Sequence, residues 1–323
     1  MNLDIQLPSP ITQLNALFND SVVFRGDNIN KVLSKNNITI LCKRDDLIHP
    51  IISGNKWRKL CASLAIIKQH HYKHIVSFGG GFSNHLHALS YACAVLNIKF
   101  TAVIRGDYSK QLTPTLLDMQ QWGSQFHFVS KIEYKKRTDS QYCRSLLRQL
   151  KADYSIPEGG SHAECMSGVA AILTEVSSQT TDITHIILPV ASGGTLAGLL
   201  SSKELPHVKL VGIGVLKGEG YLEGLVESLL GNFGANQDTK QWEIIHEFHH
   251  GGYAKASDAL RQFVNDVNQH CIHQTSDDAF AIEPVYSGKC FYALKSLIER
   301  DYFPSNSKVL ILHTGGLQGA RRM

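Results

Sequence analysis

SGNKWRKL, residues 53–60, sets Lys56 behind a Gly-Asn pair and ahead of Trp-Arg-Lys, at a position that reads as the start of a helix. Two readings are open. Lys56 is an ordinary surface lysine, or it is a lysine that forms a covalent bond. The octapeptide alone does not choose, and the choice rests on what the chain supplies around that amine.

Beyond it, short apolar runs alternate with helical patterns. HIVSF (74–78), FTAVI (100–104), FHFVS (126–130), HIILPV (185–190), LVGIGV (210–215) and KVLILHT (308–314) are apolar at nearly every position. That is the pattern of strands buried on both faces of a parallel sheet. Leu86, Leu89, Cys93 and Leu96 follow helical spacing, with Asn97 as the stop, and Leu196, Leu199 and Leu200 do the same behind Ser-Gly-Gly. The alternation predicts an α/β protein with open, mainly parallel sheets flanked by helices. GNFGANQDTK (231–240) reads as a surface loop.

At 323 residues the chain suits two domains with ample core. It is 43% hydrophobic and 19% charged, with a formal charge of +4, and the basic residues are scattered. Nothing there implies nucleic acid. Seven cysteines at wide spacings contain no C-x-x-C and suit a reducing cytoplasm. MNLDIQLPSP lacks a basic-then-apolar run, so no signal peptide is expected, and no stretch has the apolar length of a membrane helix.

Three glycine-rich turns follow predicted strands: SFGGGFSNH (77–85), PVASGGTLAG (189–198) and HTGGLQGA (313–320). Ligands of open α/β sheets bind outside the carboxyl ends of strands, so three such turns suggest one ligand surrounded by loops. ASGGT is the best phosphate candidate. Gly193 and Gly194 let backbone N–H groups converge, Thr195 adds a hydroxyl, and a helix N-terminus follows. It is not a Walker A loop, because no lysine follows. SFGGGF is not a dinucleotide fingerprint either, and no acidic residue stands about 20 residues on. A phosphate cradle beside a suspicious lysine suggests pyridoxal phosphate, whose aldehyde bonds to a lysine amine.

SGNKWRKL resembles the G-G-N-K-x-R-K-L segment of the 1-aminocyclopropane-1-carboxylate (ACC) deaminase and D-cysteine desulfhydrase family. SFGGGFSNH resembles that family's S-x-G-G-x-Q-S-N-[HQ] segment, EPVYSGK (283–289) its D-P-V-Y-x-G-K, and ILHTGG (311–316) its closing H-x-G-G turn. The four matches occur in order and span Ser53 to Gly316. The resemblance implies the tryptophan-synthase-β-like architecture, fold type II among pyridoxal-phosphate enzymes, with the cofactor between two α/β domains. The smaller would be 55–164, and the larger 1–54 plus 165–323. It also implies a homodimer and a small amino-acid substrate.

The resemblance assigns roles position by position. Lys56 matches the lysine that bonds the cofactor and moves the Cα proton. Ser83, Asn84 and His85 match the segment that receives the substrate carboxylate, with Asn84 also near the pyridine 3′-oxygen. Ser192, Gly193, Gly194 and Thr195 match the phosphate loop, and Thr314 the position facing the pyridine nitrogen. Tyr286 matches a tyrosine beside the substrate, and Tyr253, in GGYA, the family's second tyrosine.

Two departures bear on the reaction. The family's Gln before Ser-Asn is Phe82 here. The glutamate that follows the PVY tyrosine in ACC deaminases is Ser287 here. A carboxylate favours a protonated pyridinium and a strong electron sink, whereas a hydroxyl such as that of Thr314 leaves the nitrogen neutral. A neutral ring suits β-elimination with a good leaving group better than ring opening. His85 agrees, since the desulfhydrase branch carries S-N-H. The expectation is α,β-elimination, with D-cysteine giving pyruvate, sulfide and ammonia. ACC deamination is the alternative, and a non-catalytic cofactor-binding protein the remoter one. HEFHH (246–250) raises a zinc reading, but it is not H-E-x-x-H and the adjacent Gly-Gly-Tyr suggests a loop, so no metal is expected.

Overall fold

Apolar runs pair into two sheets in a computed structural model, which describes residues 3–15, 27–233, 241–272 and 280–321. The strands are β1 (Ile11–Gln13), β2 (Thr39–Lys43), β3 (His74–Gly79), β4 (Lys99–Arg105), β5 (Gln125–Val129), β6 (Tyr154–Ile156), β7 (His185–Val190), β8 (Lys209–Gly214), β9 (Trp242–Ile245) and β10 (Lys308–Leu312). One sheet has the order β1-β2-β10-β7-β8-β9 and the other β5-β4-β3-β6. Every pair is parallel except β1 with β2. The fold is therefore the α/β class with mainly parallel sheets that the sequence predicts.

All six predicted strands are present, with bounds shifted by a residue or two. Four strands lie outside that reading: β1, β2, β6 and β9. Three of them are sheet edges, and β2 stands next to one. Edge strands need no all-apolar run, and ITQ, YSI and WEII are short and partly polar. The predicted loop at 231–240 is helical over its first three residues, in the Tyr221–Phe233 helix, and 234–240 lie outside the described residues.

The six-stranded sheet is buried on both faces by strict alternation. Ile186, Leu210 and Leu310 face one cluster with Met166, Leu173 and Leu199. Their neighbours Ile187, Val211 and Ile311 face the other, with Leu33, Phe291 and Leu294. Each fully buried aliphatic side chain there stabilises by about 1.5–3 kcal/mol. The Asn55–Gln69 helix turns Leu60, Leu64 and Ile67 onto the four-stranded sheet, against Ile75 and Phe100. It ends where His71 takes a left-handed φ of 54°. The Asn84–Val95 helix is capped by Ser83, whose Oγ accepts from Leu86 N at 3.2 Å, and stops at Asn97 (φ 54°) as the sequence predicts.

Topology fixes where a ligand can sit. In the smaller sheet the order runs from β3 outward to β4 and β5, then returns to β6 on the other side of β3. In the larger sheet it runs from β7 to β8 and β9, then returns to β10. A reversal of strand order opens a crevice at the carboxyl ends of the two diverging strands. Ser83 and Ser161 follow β3 and β6. Ser192 and Thr314 follow β7 and β10.

Candidate active site

The chain leaving β2 reaches Lys56 through Gly54, which has φ 63° and ψ −143°. A Cβ on Gly54 would lie 1.8 Å from the Thr314 carbonyl oxygen. Only glycine lets this loop press onto the end of β10, where Asn55 N donates to Thr314 O at 3.3 Å. Lys56 then opens the helix with its Nζ hydrogen-bonded to Asn55 Oδ1 and 6.0 Å from the centroid of the Tyr286 ring. Burial pulls the amine down to about 7, with Lys59 acting in the same direction and Glu283 opposing. Near neutrality about half of such an amine is uncharged and nucleophilic.

Beside it lies a cradle for an anion. Gly193 and Gly194 open the Gly194–Ser201 helix at the end of β7. Ser192 Oγ and Ser161 Oγ are 2.8 Å apart, and Lys59 Nζ donates to both, at 3.2 and 2.8 Å. Asn55 Nδ2 donates to Thr195 Oγ1 at 3.1 Å, joining the cradle to the residue before Lys56. A Cβ on Gly194 would lie 2.6 Å from Ser161 Oγ and 3.1 Å from Lys59 Nζ, so the glycine keeps the space open. Helix N–H groups, three hydroxyls and an ammonium converge as a phosphate requires. Lys59 and Ser161 escaped the sequence reading. The signal for Lys59 was its i, i+3 spacing from Lys56. Ser161 carried none, because only the β6 connection brings it here.

Ser83, Asn84 and His85 lie at the first turn of the next helix. Asn84 Nδ2 donates to Gly316 O at 3.3 Å, while its buried Oδ1 has no partner. A donor supplied by a bound group would satisfy that oxygen. Ser77 Oγ donates to Ile156 O at 2.8 Å, so it can only accept from His85 Nε2, also at 2.8 Å. The proton of His85 is thus on Nε2, and Nδ1 is a bare, buried acceptor. Burial, then Lys56 and Lys59, push this imidazole down to about 3, so it is neutral. Its side chain cannot donate to a carboxylate. The donors at this turn are the helix N–H groups and hydroxyls.

On the opposite side, Tyr286 Oη and Tyr253 Oη are 2.9 Å apart. The structure thus brings together the two tyrosines that the sequence held 33 residues apart. Burial raises the Tyr286 phenol well above its ordinary range, with Tyr253 adding to the effect. Thr314 is buried at the end of β10. Ser287 Oγ is turned to Glu283, donating to its carboxylate at 3.2 Å. Phe82 is exposed at the rim. His246 pairs with Glu223 and His250 with Ser257, and no metal-holding cluster occurs among the described residues.

The polar cradle, the unsatisfied Asn84 oxygen and the half-neutral amine fit pyridoxal phosphate: the anion finds donors, the ring hydroxyl an acceptor in Asn84 Oδ1, and the aldehyde an amine. The model of a family described as pyridoxal-phosphate dependent enzyme matches residues 25–315. The bifunctional D-cysteine desulfhydrase/1-aminocyclopropane-1-carboxylate deaminase, mitochondrial, of Arabidopsis thaliana is 29% identical over 304 residues, 88% of this chain and 74% of that one. A putative 1-aminocyclopropane-1-carboxylate deaminase of Thermotoga maritima is 28% identical, over 90% of this chain and 93% of its own. A D-cysteine desulfhydrase of Salmonella choleraesuis is 25% identical, over 86% of each. Among solved structures, an ACC deaminase homologue shares the fold with a TM-score of 0.77 at 23% identity, over 99% of this chain and 92% of that one.

Proposed function

The chain belongs to the pyridoxal-phosphate dependent enzyme family, and we propose that it catalyses α,β-elimination on a small amino acid, D-cysteine giving pyruvate, sulfide and ammonia. The observation that carries this reading is the Lys56 amine, pulled to about 7, beside an anion cradle and a pair of tyrosine hydroxyls. When bound, the cofactor supplies an aldehyde for covalent capture of an amine and a ring that withdraws electrons from Cα. Lys59, Ser161, Ser192, Gly193, Gly194 and Thr195 hold its phosphate, Asn84 its ring oxygen, and Thr314 its nitrogen. Lys56 takes the proton from Cα. Ser83 and the first-turn N–H groups at Asn84 and His85 hold the substrate carboxylate. Tyr286 and Tyr253 orient the departing β-substituent.

The choice of D-cysteine rests on the charge around the ring. Ser287 stands where an ACC deaminase carries a carboxylate. The nearby carboxylate of Glu283 is committed to the backbone N–H groups of Val285, Tyr286 and Ser287. A neutral nitrogen suits departure of a thiolate. The Arabidopsis thaliana relative, named for both activities, and the relatives named putative ACC deaminases favour ACC as the second substrate, giving 2-oxobutyrate and ammonia. The same reading takes the chain as two units, 1–54 with 165–323 and 55–164, in a cytoplasmic homodimer. Of the described chain, no helix is long and apolar enough to cross a membrane.

The test is release of 2-oxo acid by purified protein given D-cysteine and ACC in parallel, with Lys56→Ala as the control. Pyruvate from D-cysteine alone supports the reading. 2-Oxobutyrate from ACC transfers it to the deaminase branch. Full turnover by Lys56→Ala would sink both, and bound cofactor without turnover of either substrate would leave a binding protein.

A further inference from the structure

The segment Glu283-Pro-Val-Tyr-Ser-Gly-Lys289 carries a charged residue at each end, and both are buried. Glu283 Oε2 accepts from Val285 N at 2.6 Å. Its Oε1 accepts from Tyr286 N at 2.8 Å, Ser287 N at 2.9 Å and Ser287 Oγ at 3.2 Å. Pro284 contributes no N–H, so every backbone donor from 284 to 287 ends on this one carboxylate. Burial raises this carboxyl above its ordinary range, and the four donors oppose that pull by favouring the ionised form. The carboxylate does from inside the turn what a capping side chain does at a helix start, and it fixes Tyr286 ahead of the Ser287–Glu299 helix.

Lys289 lies at the other end of the segment. Its Nζ donates to Val215 O and to Gly252 O, both at 2.8 Å. Gly252 is the residue before Tyr253. One end of the segment therefore holds the backbone of Tyr286, and the other holds the backbone beside Tyr253. Between them the two hydroxyls meet at 2.9 Å.

We infer that Glu283 and Lys289 are positioning residues that set the Tyr253–Tyr286 hydroxyl pair beside Lys56. This rests on the elimination reading only for what the pair then does, which is to align the leaving β-substituent. The sequence motif acquires a division of labour: its tyrosine faces the reaction, and its charged ends place two tyrosines rather than one.

The test combines crystal structures and kinetics of the cofactor-loaded enzyme for Glu283→Gln, Lys289→Met, Tyr253→Phe and the double variant Lys289→Met/Tyr253→Phe. Glutamine keeps one acceptor oxygen and turns an amide donor on Val285 N, and methionine keeps the length of Lys289 without its donors. The expected structures of both charge variants have the two hydroxyls beyond hydrogen-bond reach. The expected kinetics are kcat lowered about ten- to a hundred-fold with KM changed by less than about two-fold. The double variant should be no slower than the slower single, because both changes remove the same interaction. A hydroxyl pair still near 2.9 Å in both charge variants would overturn the inference, as would losses that multiply in the double variant. If both charge variants fail to fold, full kcat in Tyr253→Phe, whose side chain is half exposed, overturns it instead. Should the wild-type protein turn over neither substrate, the elimination reading fails, and the structures still decide the positioning.

Discussion

At Lys56 the sequence offered a choice between a solvated amine and a covalent one, and its surroundings make that choice measurable. Burial and Lys59 favour the neutral amine, while Glu283 favours the ammonium. In cofactor-free protein, labelling of Lys56 by an amine-selective reagent, followed by peptide mass mapping, should rise through a midpoint near 7, whereas exposed lysines should rise near 10. Removing the anion in Glu283→Gln should move the Lys56 midpoint lower. A Lys56 midpoint matching that of surface lysines would refute the local electrostatics. At this scale Lys56, Tyr286 and the Ser192–Thr195 loop were singled out because each sits in a short motif, Tyr286 through the family resemblance alone. Lys59, Ser161 and Glu283 were not singled out, because what they do arises from groups distant in sequence. Lys59 becomes a cradle residue only when β6 and β7 deliver Ser161 and Ser192 to it. The capping role of Glu283 needs the turn that folds Val285, Tyr286 and Ser287 back onto its carboxylate.

Elements were read well where burial made them uniform and poorly where it did not. β7 and β8, covered on both faces, announce themselves as unbroken apolar runs. β6 is three residues long and owes its place to pairing with β3, which no local pattern encodes. The loop from β2 to Lys56 is the element on which the site depends most. Its Gly54 takes a backbone conformation open essentially to glycine, and a side chain would strike the Thr314 carbonyl. Gly54→Ala should lose at least about 1–3 kcal/mol from backbone strain alone. Relieving the clash would also separate Lys56 from the end of β10. The expected outcome is a lower thermal midpoint together with weaker cofactor retention on gel filtration, read from the visible absorbance of the eluted protein. Unchanged values of both would mean that the loop adapts without cost.

The whole molecule must hold the lysine helix against two sheets, and a buried ion network does so. Arg58, two residues after Lys56, donates from Nη2 to Asp45 Oδ1 at 2.8 Å and to Glu175 Oε2 at 2.9 Å. Lys43 Nζ reaches Glu175 at 2.8 Å, and Ser9 Oγ reaches Asp45 at 2.6 Å. Asp45 follows β2, Glu175 lies on the Cys165–Gln179 helix, and Arg58 on the helix packed against the four-stranded sheet. None of this is legible in sequence, since isolated charges look alike whether solvated or buried. The network predicts two losses. Arg58→Ala leaves two carboxylates buried without their guanidinium and should cost about 3–5 kcal/mol, read as a lower urea midpoint at unchanged slope. The second is with pH. Burial would raise the Glu175 carboxyl, but its bonds to Arg58 and Lys43 outweigh that and hold it below its ordinary range. The folded state thus gives up a proton more readily than the unfolded one. The stability from Glu175 is fully present above the ordinary carboxylate range and is lost as pH falls through the folded value. Arg58→Ala should flatten that acid limb as well as lower the plateau. If the plateau falls while the acid limb keeps its full steepness, the acid sensitivity belongs to other groups. The five buried histidines whose pKa is lowered among the described residues, His49, His74, His85, His87 and His185, would then account for it, because each resists protonation in the fold and charges freely outside it.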